Sequence, residues 1–131
     1  MNYITQFHQV RYVETDQMRF VHHSNYVKYF EMARIEWLDS MGISYADMEK
    51  GGILMPVVAV SINFKKPLFF GSAFKVKVSL KKPPLATLEF DYNIADQAED
   101  EVCTGSTVLA FINAENNKPM RCPNIIMDRF S

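Results

Sequence analysis

Tyr12-Val-Glu-Thr-Asp-Gln-Met-Arg-Phe-Val-His-His-Ser-Asn-Tyr26 joins a strand-like run on its left to a helix start on its right. Beyond it, Tyr26, Phe30, Ala33, Trp37 and Met41 recur at spacings of three and four, the stripe of an amphipathic helix. Ser24 or Asn25 offers an N-cap and Gly42 a stop, so the pattern predicts a helix over about 24–41. Such a helix would be roughly 27 Å long. Its first turn carries unpaired N–H groups and a partial positive charge, suited to a carbonyl oxygen that becomes negative during reaction. Asp16 and the pair His22-His23 lie just before that donor array.

Working outward, residues 4–13 alternate well enough for a strand. Residues 44–50 suggest a short helix or turn, closed by Gly51-Gly52. Residues 53–66, rich in Val, Ile and Phe, read as one long strand interrupted near Pro56. From 73 to 81, Phe74, Val76, Val78 and Leu80 alternate with Lys75, Lys77, Ser79 and Lys81, a strand with one wet face. Residues 85–95 and 101–113 supply two more strands, joined by the acidic stretch 96–100, expected to be a solvated hairpin tip and not a metal loop. Asn116-Asn117 marks a further turn, and 123–130 a short closing helix.

One long early helix followed by long antiparallel strands is an α+β arrangement, in which the helix lays its apolar stripe on the sheet. The chain has 131 residues with 48% hydrophobic content, enough for one domain with a real core and little room for a second. A net charge of −1 with interspersed signs argues against nucleic acid as the main partner. The N-terminus lacks a basic segment followed by an apolar core, and the longest strongly apolar run falls far short of the ~20 residues that span a bilayer, so a cytoplasmic protein without a membrane span is expected. Cys103 and Cys122 form no Cys-x-x-Cys pair, which favours buried or bland thiols over a disulfide or a metal site.

Tyr12-Val-Glu-Thr-Asp16, Val21-His-His23 with Asn25-Tyr26, Glu31-x-Ala33-Arg34 and Phe64-Lys-Lys-Pro67, in this order and spacing, resemble the hotdog-fold acyl-CoA thioesterases. The resemblance covers nearly the whole chain. It is nearest to the 4-hydroxybenzoyl-CoA thioesterase-like family that includes the Tol-Pal-associated thioesterases. It implies a single hotdog domain over 1–131, a long central helix wrapped by an antiparallel sheet of about five strands. It further implies an acyl-CoA thioester hydrolase without a cofactor or metal, assembled as a homodimer or homotetramer with its sites at subunit interfaces.

By the same resemblance Asp16 matches the catalytic carboxylate, as general base toward water or as nucleophile on the acyl carbonyl. The backbone N–H of His23 matches the donor that polarises the thioester carbonyl, and Tyr12 matches a further active-site position. His22, Arg19, Lys65 and Lys66 are candidate substrate-binding residues, the cations for the CoA phosphates. Where relatives usually carry small residues, often glycine, this chain has Gln17-Met-Arg-Phe20, which would narrow the acyl pocket or aim Arg19 at an anionic substrate group. From local sequence alone Asp16 would be an Asx-turn or cap. Tyr26, Phe30 and Trp37 are expected in the core, and Glu31, Arg34 and Glu36 on a solvated helical face. Two other readings share the motif: a hotdog acyl-CoA hydratase or dehydratase, and a non-catalytic acyl-CoA-binding module.

Overall fold

The computed structural model describes residues 1–130. Its strands are β1 (Asn2–Ile4), β2 (His8–Gln9), β3 (Ile53–Leu54), β4 (Val57–Phe64), β5 (Ala73–Leu80), β6 (Thr87–Asp96), β7 (Glu101–Ala110), β8 (Ile112–Asn113) and β9 (Lys118–Pro119). Its α-helices are α1 (Ser24–Ser40), α2 (Tyr45–Lys50) and α3 (Asn124–Arg129), and a 3-10 turn covers Tyr12–Glu14. The main antiparallel sheet runs β1-β5-β6-β7-β4, with β2 pairing further along β5, six strands in all. A small second sheet, β3-β8-β9, extends it. This is the expected α+β hotdog layout, with one strand more because the first edge position is filled by two short pieces.

That split is the first departure from expectation, since residues 4–13 do not form a single strand. Thr5 is buried, and its Oγ1 takes the Val76 N–H (3.0 Å) where a backbone carbonyl would stand in a regular ladder. Pairing resumes only at His8, and the chain leaves the sheet at the 3-10 turn. The second departure is at Pro56, which has no N–H to donate. The predicted strand 53–66 divides there between two sheets, with Ile53 facing Asn113 and Val57 facing Leu109.

The helix stripe packs as the periodicity requires. Tyr26, Phe30, Ala33 and Trp37 are buried, while Met41 reaches only the margin of the core. Phe30 stacks on Tyr92 (centroids 4.3 Å apart), Tyr29 meets Phe74 (4.4 Å), and Trp37 lies edge-on to Phe130 (5.1 Å). Each fully buried large side chain contributes roughly 2 kcal/mol, and the aromatic pairs add about 1 more. Gly42, at φ +78°, ends the helix: its N–H reaches Asp39 C=O and the next N–H, of Ile43, reaches back to Leu38 C=O.

Arg34 and Glu36 do not lie on a solvated face; only Glu31 does. Arg34 is 2% exposed, and its guanidinium donates to the Tyr92 hydroxyl (3.1 Å) and the Tyr45 hydroxyl (3.3 Å). Tyr92 in turn shares a 2.6 Å hydrogen bond with Thr107, so the buried polar atoms are all partnered. Glu36 accepts from the Tyr3 hydroxyl, the Gln6 N–H and His8, which fastens the N-terminal strands to the helix. The periodicity placed both residues off the apolar stripe but could not show that their polar ends meet partners folded over it.

At the acidic tip between β6 and β7, Asp96 caps the turn by accepting the Ala98 and Asp100 N–H groups, as expected of a hairpin. No helix of the described residues is long and apolar enough to cross a membrane.

Two backbone constraints predict stability effects. A Cβ on Gly105 would stand 2.6 Å from the Phe30 ring and 2.7 Å from the Ser61 carbonyl oxygen. Gly105→Ala is therefore expected to cost about 2 kcal/mol in urea unfolding, by overpacking the helix–sheet contact; a loss below about 0.5 would mean that the helix slides freely. Arg19 sits in the left-handed region at φ +66°. Arg19→Gly should leave stability within about 0.5 kcal/mol or raise it, whereas Arg19→Val should lose roughly 1–2. Equal effects from the two would contradict the backbone assignment.

Candidate functional site

The segment between the 3-10 turn and α1 folds as a small hairpin pinned to its surroundings by backbone bonds. Thr15 bridges Val21, and Phe20 bridges Phe69. The Asp16 N–H donates to Phe20 C=O (2.8 Å), and the Arg19 N–H returns to Asp16 C=O (3.0 Å). Phe70 N–H reaches Arg19 C=O (3.1 Å) and Val21 N–H reaches Leu68 C=O (2.9 Å), tying the hairpin to the chain just before β5. Arg19 takes the left-handed position that closes the turn, so bulk at 17–20 does not prevent the path that small residues would favour.

Asp16 fulfils its local reading and keeps a free face. Its Oδ1 accepts the Met18 N–H (2.8 Å) and the Phe20 N–H (3.3 Å), an Asx-turn within the hairpin. No hydrogen bond among the described residues engages Oδ2. The side chain borders an open pocket of about 400 Å³ lined by Asp16, Phe20, Val21, His23, Tyr26, Phe64, Lys65, Lys66 and Pro67. Its walls are mostly apolar, with Tyr26 edge-on to Phe64 (5.2 Å) and Phe20 edge-on to Phe69 (4.9 Å). Burial pushes the Tyr26 phenol above its ordinary range, so it stays neutral.

His23 occupies the N-cap position of α1, and its side chain makes no capping bond. The neighbouring N–H groups are all spoken for: His22 donates to Glu14 C=O, Asn25 to His22 C=O, and Ser24 to the His22 ring. Among the described residues none accepts the N–H of His23. Neither Ser24 nor Asn25 caps the helix through its side chain. Asn25 is buried and donates from Nδ2 to Glu14 C=O (2.8 Å).

Glu14 is the residue that sequence reasoning passed over. Its carbonyl holds His22 and Asn25, and its carboxylate accepts from the Tyr29 hydroxyl (3.1 Å) and the Arg11 N–H (2.8 Å). Burial and the adjacent Glu14 charge drive the Tyr29 phenol far above its usual range, so Tyr29 serves only as a donor there. A carboxylate three residues after an arginine looks like a plain surface pair in sequence, and only the arrival of Tyr29 from α1 sets it apart.

The structure brings Asp16, His23, Lys65 and Lys66 to one pocket, and leaves Tyr12, Arg19 and His22 outside its lining. Tyr12 is exposed and packs edge-on against Phe70 (5.7 Å). Lys66 already pairs with Asp96 (2.8 Å) and Asp100 (3.2 Å), carboxylates that hold its ammonium above the ordinary lysine range. Lys65 lies 4.0 Å from Glu101 and remains half exposed. Both cysteines are buried free thiols, with burial pushing Cys103 up to about 12 and Cys122 up to about 11, so neither supplies a thiolate near neutral pH. Among the described residues no three His, Cys, Asp or Glu side chains gather as metal ligands. A second depression of about 440 Å³ lies against strands β4 to β7 and is lined mainly by serine, asparagine and threonine; it holds Lys77 and Asp91 but no carboxylate beside a helix start.

Residues 10–130 match the sequence model of the thioesterase-like superfamily. A Bacillus subtilis (strain 168) protein whose name provisionally makes it an acyl-CoA thioesterase is 34% identical over 113 residues, covering 86% of this chain and 82% of its own length. The crystal structure of a DHNA-CoA thioesterase from Staphylococcus aureus superposes with a TM-score of 0.90 at 36% identity, over 98% of this chain and 86% of that one. A structure from Aquifex aeolicus gives 0.91 at 30% identity, over 98% and 99%. With its helix wrapped by an antiparallel sheet and a carboxylate beside the helix start, the chain belongs to the thioesterase-like superfamily, as an enzyme of the thioester-hydrolase class.

Proposed function

We propose that this protein hydrolyses acyl-CoA thioesters to a carboxylic acid and CoA, with Asp16 as the catalytic carboxylate and the N–H of His23 as the oxyanion donor. The observation that carries this reading is the meeting, on one apolar pocket, of a carboxylate with one unengaged oxygen and a helix start with one unengaged N–H. The exposed position of Asp16 leaves room for water at Oδ2, which favours the general-base route over direct attack. Ionised Asp16 takes a proton from that water as its oxygen bonds to the thioester carbon. The carbonyl oxygen, now negative, accepts from His23 N–H, and the C–S bond breaks to release the CoA thiolate, which takes up the proton that Asp16 removed from the water. One such donor lowers the barrier by roughly 3 kcal/mol.

CoA is favoured as the carrier by the names of the two relatives above that print a substrate class. The aromatic walls of the pocket, Phe20, Tyr26 and Phe64, suit an aryl or medium-length acyl group over a small one. A place near the Tol-Pal-associated thioesterases is supported by the order and spacing of the motifs at Tyr12–Asp16, Val21–Tyr26, Glu31–Arg34 and Phe64–Pro67 in the sequence. Lys65 is the pocket cation freer to meet a CoA phosphate, since Lys66 is shared between two carboxylates.

We also infer at least a homodimer. Strand β4 pairs with β7 on one side only, and it exposes Val58, Val60 and Phe64 at 59%, 49% and 54%. A bare, apolar edge strand invites a second copy. Because Phe64 ends that strand, Lys65 and Lys66 follow it, and all three line the pocket, a partner seated there would complete the site's wall.

Thiol release should be measured over acyl-CoAs from acetyl to palmitoyl and benzoyl. Wild type should turn over at least one of them, and Asp16→Asn, with its fold intact, should fall at least about a hundredfold. Retained activity in Asp16→Asn would sink the assignment of the base, and enoyl absorbance changes without thiol release would mark a hydratase instead. In sedimentation, wild type should run at twice or four times the 15.1 kDa of the chain. Val60→Asp should shift it toward the monomer and depress turnover with it; a monomeric, fully active wild type would refute the edge pairing.

A further inference from the structure

His22 stands outside the pocket lining, yet it organises the helix start more fully than any other residue of the turn. Its N–H donates to Glu14 C=O (2.9 Å), and its C=O accepts the Asn25 N–H (2.9 Å). Its Nδ1 accepts the Ser24 N–H (3.2 Å) and lies 2.8 Å from the Ser24 hydroxyl. The ring centroid is 4.2 Å from that of His23. A backbone N–H can only donate, so in its contact with the Ser24 N–H the Nδ1 atom is the acceptor.

The consequence concerns which donor the helix presents. A helix start leaves its first N–H groups without intrahelical partners. Here the Ser24 N–H goes to His22 Nδ1, the Asn25 N–H to His22 C=O, and the Tyr26 N–H to His23 C=O (3.3 Å), while the N–H of His23 is left over. We propose that His22 is a positioning residue: by absorbing the competing Ser24 donor and bracing the turn against Glu14, it leaves His23 N–H as the one donor offered to the carbonyl beside Asp16. The proposal rests on the thioesterase reading of this pocket and assigns His22 no contact with substrate.

Three measurements on the full-length protein test it: kinetics of His22→Ala and His22→Asn on the best acyl-CoA, amide hydrogen exchange at Ser24, and imidazole nitrogen-15 shifts. Asn carries an acceptor, Oδ1, at the position of Nδ1, so it can keep the Ser24 bond without a ring. Alanine should lower kcat about tenfold with KM within about twofold, and Asn should recover kcat to within about threefold of wild type. Ser24 exchange should quicken in the alanine variant and stay slow with Asn, and wild-type Nδ1 should resonate as unprotonated. An unchanged kcat in His22→Ala, a raised KM at constant kcat, or Asn protecting Ser24 without restoring kcat would each overturn the proposal. A wild type that releases no thiol from any substrate removes the catalytic reading and His22's part in it. Ser24 exchange then still shows whether the hydrogen bond exists, so the two failures are told apart.

Discussion

The seating of α1 on the sheet depends on the close contact of the Phe30 ring with Gly105. The Phe30 ring fills the space directly over Gly105, where a Cβ would clash with it, and the same ring lies flat on Tyr92, one strand over. This fixes the height of α1 above β6 and β7. Arg34, one turn further along, fixes its register, because its two tyrosine partners are reached only when the helix is at that height. A guanidinium held by hydroxyls, with Glu31 no nearer than 4.0 Å, is a costly way to glue a helix down. It is also a selective one, since sliding the helix would strand a buried charge.

With the helix fixed, the position of its N-terminus in space is decided, and the site hairpin has only to be hung from it. Glu14 does this with two separate functions. Its carbonyl gathers His22 and Asn25, which are backbone and side chain of the helix entry, while its carboxylate gathers Tyr29 from the second turn. The hairpin carrying Asp16 is therefore referenced to the same helix that carries the N–H of His23. Two groups borne by separately anchored loops would drift relative to one another; the Asp16 carboxylate and the His23 N–H share an anchor.

Periodicity was enough to read the helix, its glycine stop, the β5–β7 meander and the acidic hairpin, because each is governed by a local rule. Where a side chain replaced backbone in the ladder, at Thr5, or where proline divided one run between two sheets, at Pro56, the pattern still looked like a strand and the break was invisible. Arg34 and Glu36 were misplaced for a related reason: spacing tells which side of a helix a residue leaves, not what will fold over it. At the site, Asp16, His23, Lys65 and Lys66 do converge on one pocket, and Tyr12 does not border it. The roles of Glu14 and His22 depend on contacts formed only after α1 docks, and no spacing rule encodes those.

Lys66 is drawn to the tip of the β6–β7 hairpin by Asp96 and Asp100, and Lys75 is drawn to Glu99 on the same tip (2.6 Å). The hairpin thus competes with any anionic ligand for the nearest lysine. The pair is exposed and screened by water, so a phosphate could displace it at small cost, but the gain from doing so is equally small. The apolar walls of Phe20, Tyr26 and Phe64 are then the main surface that this pocket offers for burying an apolar ligand group. Charge at the mouth would set encounter and orientation more than affinity. That division suits the proposed reading, in which the acyl end lies against the aromatic walls and its carbonyl is held still beside Asp16.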